Sequence, residues 1–176
     1  MTAQFREGIY IDDKIYGMAS EPLENYFIEN FNGKDDGTYP YLIEISTACW
    51  RGYIGTWKIE NDQLFLQDIS NQKEEELNID QDGTILLMVK VNENEYKFIK
   101  DWRKVFFNDQ QGDIKASWFT GRLIVEMGKM IEYVHTYYGS HYEKYMIIDI
   151  ENGDVKNQRI ISNEEYLKER KNYRYE

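Results

Sequence analysis

Along most of this chain, apolar residues come in short runs broken by turn-forming pairs, a rhythm that predicts strands. Gly8 to Met18 reads GIYIDDKIYGM, two apolar-aromatic runs flanking Asp12-Asp13, which predicts a small hairpin. The period then changes. Leu23, Phe27, Asn30 and Phe31 recur at helical spacing, Ser20 can cap, and Pro22 suits a first turn because its missing N–H has no partner there. A helix is expected from about Glu21 to Phe31, ended by Asn32-Gly33 and followed by a polar loop, Lys34 to Thr38. Tyr41 to Trp50, Tyr53 to Glu60 and Gln63 to Ile69 read as consecutive strands, with Asn61-Asp62 as a tight turn between the last two. Asn71 to Asp82 is acidic and loop-like, and Asp82-Gly83 leads into a strand from Thr84 to Val91.

Glu93 to Phe107 fits two periods. Tyr96, Ile99, Trp102, Val105 and Phe106 match a helix; Tyr96, Phe98, Trp102 and Phe106 match alternation, and helix is the preferred reading. After a loop from Asp109 to Asp113, Ser117 to Val125 and Met130 to Tyr137 predict a hairpin turning at Glu126-Met127-Gly128-Lys129. Tyr145 to Ile150 and Val155 to Ile161 predict another around Glu151-Asn152-Gly153-Asp154. Ser162 and Glu165 form a capping box for a charged helix over about 163–173. The whole predicts one α+β domain spanning 1–176, its mostly antiparallel sheet barrel-like or strongly curved, with two or three peripheral helices.

Composition sharpens this picture. Fifteen Tyr, eight Phe and four Trp with only two Pro favour pleated, half-buried surfaces. A net charge of −11 repels phosphate backbones and anionic lipid, so neither nucleic acid nor membrane is an expected partner, and a protein with a basic surface is. Cys49 is the lone cysteine and can make no internal disulfide. The amino terminus lacks the basic and apolar blocks of a signal peptide, and the longest apolar run, Ile85 to Val89, is far below the ~20 residues of a membrane helix. These features predict a cytoplasmic protein.

Two segments carry candidate chemistry. Tyr133 to Tyr145 holds five tyrosines and both histidines around Gly139-Ser140; tyrosine supplies contact area with few rotors while Gly and Ser let a loop adapt. Tyr133, His135, Tyr137, His141 and Tyr142 are therefore candidate binding residues, with Ile131, Tyr133, His135 and Tyr137 on one face if the strand period holds. Plain packing of a tyrosine-rich strand pair is the competing explanation. In the second segment, alternation places Arg51, Tyr53 and Trp57 together, with Gly55 leaving space between them and Trp50 on the other face. An arginine beside aromatics can hold a carboxylate or phosphate, or serve as a structural ion pair. Two histidines and a distant cysteine are too few for a zinc site, and Cys49 inside an apparent strand reads as a small buried hydrophobe. Phosphate loops, dinucleotide fingerprints, Gly-x-Ser-x-Gly and His-Glu-x-x-His are all missing from the sequence, so no cofactor and no metal is expected.

The segment TACWRGYIGTWKIENDQLFLQDI, with SWFTG and EYVHTYYGSHYEKY, resembles a family of small bacterial proteins that share an ACWRGYxGTW-type stretch. The resemblance rests on Trp50-Arg51-Gly52, Gly55-Thr56-Trp57, Trp118-Phe119-Thr120-Gly121 and Gly139-Ser140, and it implies no activity and no catalytic role. Gly55-Thr56-Trp57 is also similar to the Gly-x-Trp of lipocalin-like barrels, three residues that transfer neither a fold nor a ligand. The function expected is a non-enzymatic binding protein that recognises a macromolecule, a toxin-neutralising type included, with a homodimer through tyrosine-rich edges as a further arrangement. A small-ligand barrel carrier and a carboxylate- or histidine-dependent hydrolase are the alternatives.

Overall fold

The computed structural model describes residues 2–31, 48–49, 51–71, 81–82, 86–92 and 95–170. Seven strands close into a barrel: β1 (Glu7–Ile11), β2 (Lys14–Met18), β3 (Ile54–Glu60), β4 (Gln63–Ser70), β8 (Gly121–Glu132), β9 (His141–Glu151) and β10 (Asp154–Ser162). Around the ring the order is β10-β9-β8-β2-β1-β3-β4, and Asp154 beside Gln63 joins β10 back to β4. A ring of seven strands cannot close with antiparallel neighbours alone, because direction would have to alternate an odd number of times. The pair β1–β3 resolves this: it is parallel, with Ile9 opposite Trp57. The two-residue β7 (Ile114–Lys115) adds to β4 outside the ring, and β5 (Leu87–Asn92) with β6 (Glu95–Ile99) forms a separate hairpin.

Helix α1 (Pro22–Phe31) follows β2 across one end of the barrel, α2 (Trp102–Phe106) packs beside it, and α3 (Asn163–Glu169) lies outside β9 and β10. Their aromatic rings form the plug at the α1 end. Tyr26 stacks on Phe107 at 4.5 Å, Phe27 meets Tyr53 and Phe106 edge-on, and Trp118 donates to Pro22 O at 2.9 Å. Inside the barrel, Ile9, Trp57, Leu64, Leu66, Leu123 and Ile148 have no exposed surface. A ring of this size holds side chains and little else. A second cluster outside the wall packs Ile124, Tyr145, Ile147 and Ile161 under Tyr138 and Tyr166, so the middles of β8 and β9 are buried on both faces.

The expected α+β class and curved, mostly antiparallel sheet are present, and three helices lie among the described residues where two or three were expected. The Asp12-Asp13 and Asn61-Asp62 turns form as expected, each with both residues at positive φ, and Ser162 with Glu165 completes the capping box of α3. Two expectations are corrected. Residues 93–107 are not one helix: β6 and the short α2 share them, because the apolar positions pair across β5–β6 before Asp101 caps a new turn by accepting from Lys104 N. Nor does the chain turn at Glu126–Lys129. Strand β8 runs straight through, absorbing Gly128 (φ +77°) as a bulge, and reverses only at 133–140. The predicted strand over 41–50 falls outside the described residues apart from Ala48 and Cys49, as do Trp50, the loop at 34–38, residues 72–80 of the acidic loop at 71–82, and the start of the strand at Thr84.

Candidate functional site

β1 places Glu7, Ile9 and Ile11 on the inner face of the barrel wall, so strand alternation carries a carboxylate into an apolar interior. Glu7 has no exposed surface. Its Oε2 accepts from the backbone N–H of Gly55 and from Arg51 NH2 at 3.3 Å, while its Oε1 has no partner. Arg51, only 4% exposed in its side chain, also donates to Phe5 O at 2.9 Å and lies 3.7 Å from Glu21 Oε1. The guanidinium sits 5.4 Å from the Tyr53 ring centre.

Helix α1 and the loop after β8 complete the cluster. Tyr53 donates to Glu24 Oε1 at 2.9 Å. Tyr138 and Tyr137 both donate to Glu21 Oε1, at 2.6 and 3.1 Å. Three carboxylates thus surround one guanidinium, under a cover of phenol rings. Burial is the main force on Glu7 and lifts it to about 7, opposed by Arg51 and the Gly55 hydrogen bond and assisted by Glu21. Burial also raises Glu24, Cys49, Tyr53, Tyr137 and Tyr138, so the phenols and the thiol stay neutral at ordinary pH. Cys49 is a buried, neutral thiol that donates to Tyr53 O at 3.4 Å, not an activated nucleophile.

A second buried ion pair lies on the outer wall. Arg6 Nε reaches Glu126 Oε1 at 2.9 Å, beneath the rings of Tyr138 and Tyr142 at 5.3 and 5.9 Å. The Tyr142 hydroxyl bonds Glu126, and burial with that carboxylate pushes it up to about 12.

The eight residues singled out from sequence therefore divide into four groups. Arg51, Tyr53 and Trp57 meet at the plugged end, and Tyr137 joins them through Glu21. Tyr142 belongs to the Arg6–Glu126 pair. Tyr133 and His135 face solvent, linked to each other at 2.8 Å. His141 sits between Glu132 at 3.2 Å and Arg170 at 3.2 Å. The expectation that Ile131, Tyr133, His135 and Tyr137 share a strand face is corrected: β8 ends at Glu132, and Tyr137, at φ +44°, turns inward. The space expected beside Gly55 is taken by the Trp57 indole and Glu7 carboxylate. Neither histidine pairs with Glu7, Glu21 or Glu24 in the described structure, and among the described residues no three His, Cys, Asp or Glu side chains converge as a metal site.

Glu7, Glu21 and Glu24 were missed in the sequence, although two local signals pointed to them. Glu7 shares the phase of Ile9 and Ile11, and Glu21 and Glu24 are three apart, one helical turn, beside buried Leu23. The opposite mouth of the barrel is an open polar depression of about 800 Å³, lined by Asp12, Asp13, Lys58, Glu60, Asp62 and Gln158. Lys58 is already held there by Glu60 and Asp113, at 2.7 Å each.

Fold and site together define a small plugged β-barrel, filled by its own side chains and sealed at one end by a buried ionic cluster. Comparison with protein-family models, curated proteins and solved structures finds no match to this chain.

Proposed function

We propose that this chain is a non-enzymatic binding protein that recognises a macromolecular partner, a protein with a basic surface, through the arm where β8 leaves the barrel. One observation carries the reading: Met130, Ile131 and Tyr133 are 46, 58 and 61% exposed within four residues at the arm's tip, with only Glu132 among them, near His135. Large apolar side chains grouped on a surface mark interaction sites more often than isolated ones do, and a tyrosine at the centre of such a patch is a frequent anchor. The interior supports the same reading, since Tyr53 and Trp57, which would have lined a carrier's pocket, are fully buried against their neighbours. The net charge of −11 favours fast capture of a basic partner, and a protein that neutralises a basic toxin is the specific class this suits.

The test is affinity capture from native extracts with wild type and with Ile131→Ala/Tyr133→Ala, followed by native mass spectrometry of the eluted complex. The expected result is a stoichiometric complex with one basic protein, weakened by salt and lost in the variant. Recovery of no specific protein, or equal recovery by the variant, overturns the proposal.

A further inference from the structure

The loop that carries Tyr133 and His135 is tied to the barrel at its far end, and the tie passes through the buried ionic cluster. Tyr137 and Tyr138 hold Glu21, Glu21 shares Arg51, and Arg51 reaches Glu7. Backbone hydrogen bonds from Tyr137 N to Thr2 O and from Gln4 N to Tyr137 O fix the same point to the amino-terminal segment. One guanidinium therefore bridges two carboxylates, its NH2 3.3 Å from Glu7 Oε2 and its NH1 3.7 Å from Glu21 Oε1.

We infer that Glu7 is a proton-operated latch on the loop 133–140: with Glu7 neutral, Arg51 is left to Glu21, which holds Tyr137 and Tyr138; with Glu7 ionised, Arg51 is drawn away and the loop loosens. The geometry supports a proton on Glu7 rather than on its neighbours. Both hydrogen bonds to Glu7 fall on Oε2, leaving Oε1 bare, so a proton can settle on Oε1 without displacing a donor. Glu21 keeps 12% of its side chain exposed and accepts two phenol hydrogens.

Every charged or titratable group facing Glu7 is accounted for by element. The turn before β3 brings Arg51, Cys49 and Tyr53; α1 brings Glu24 and, from the position just before the helix, Glu21; the loop brings Tyr138. Burial keeps the thiol and both phenols neutral, leaving three carboxylates and one guanidinium to set the charge. Ionising Glu7 places another negative charge beside Glu21 in a site of low dielectric, where such repulsion is felt strongly.

This latch rests on the proposed function only in that the loop bears part of the recognition surface, and its test needs no partner. Hydrogen exchange of the full chain is followed by mass spectrometry from pH 5.5 to 8.5, corrected for the intrinsic rate. Protection of 133–140 is expected to fall roughly tenfold as pH rises through neutrality, the ratio given by one pK unit of coupling. Glu7→Gln holds the protection constant; Glu21→Gln, by removing the carboxylate that holds Tyr137 and Tyr138, lowers protection of the loop across the whole range. His135→Gln and Glu24→Gln leave the transition in place, which assigns it to Glu7. Unchanged protection in wild type, or a transition that persists in Glu7→Gln, overturns the latch. Should Glu7→Gln fail to fold, carboxyl ¹³C titration decides: a Glu7 midpoint that does not coincide with the loop transition overturns it equally. Failure here leaves partner capture standing, and failed capture leaves the latch standing.

Discussion

A Cβ placed on Gly55 would lie 2.7 Å from Trp57 Nε1, and 3.1 Å from Glu7 Oε1. The glycine is where the barrel wall thins to admit an indole and a carboxylate side by side. The indole belongs to a rigid ring inside a filled barrel and cannot swing aside cheaply. Gly55→Ala should therefore destabilise by about 1–3 kcal/mol, the usual cost of overpacking. Urea unfolding checks this: the midpoint should drop while the slope stays constant. An unchanged midpoint would mean the wall accommodates the methyl.

Glu7 gives folding a pH dependence of definite sign. Its carboxyl rises from 4.5 to about 7 on burial, so between those values the folded chain holds a proton that the unfolded chain has released. Stability from this group is fully present below pH 4.5 and is lost as pH rises through about 7, by roughly 3 kcal/mol. Glu24 and Glu126 are shifted in the same direction, so the contribution of Glu7 is read as the difference between wild type and Glu7→Gln. Chemical denaturation at pH 5 and pH 8 should show wild type losing stability relative to the variant. A constant difference would remove Glu7 as the cause.

The sequence showed the fold well and the site only in pieces, for a physical reason. Turn pairs such as Asp12-Asp13 and Asn61-Asp62 act locally, and so does the Ser162–Glu165 box, hence each was legible. The Glu126–Lys129 segment has the composition of a turn, yet pairing of β8 with β9 across Met127–Lys144 and Met130–Tyr142 overrides it. Residues 93–107 fit two periods, and a strand partner outside the segment settled the choice. The Arg51 and Tyr137 segments were each singled out, but their meeting was not legible. It depends on Glu21, which lies 116 residues from Tyr137, and on a parallel β1–β3 pair that no local pattern encodes.

Helix α3 offers a local test of how the outer cluster is held. Ser162 accepts from Glu165 N at 3.1 Å and the Glu165 side chain returns to Ser162 N. The helix presses Tyr166 onto Tyr145, with ring centres 3.8 Å apart. Ser162→Ala should cost about 1 kcal/mol, whereas Tyr166→Ala removes a buried ring and should cost about 3–5 kcal/mol. Thermal unfolding of both variants checks the order. If the cap costs as much as the ring, α3 is held by its own first turn rather than by the tyrosine stack.

The arm at Met130–Tyr133 should separate stability from recognition. Ile131 and Tyr133 project from the end of β8 with more than half their surface in water, so truncating them removes little packing, and exposed substitutions usually fall within about 0.5 kcal/mol. Tyr133 does donate to or accept from His135 at 2.8 Å, but an exposed neutral hydrogen bond adds little to that figure. Ile131→Ala/Tyr133→Ala should therefore unfold at the wild-type urea midpoint while its capture of a partner falls at least tenfold, since an interface anchor is worth about 2 kcal/mol or more. A drop in stability equal to the drop in capture would make the arm part of the folded core, and the exposed apolar tip would no longer mark where a partner binds.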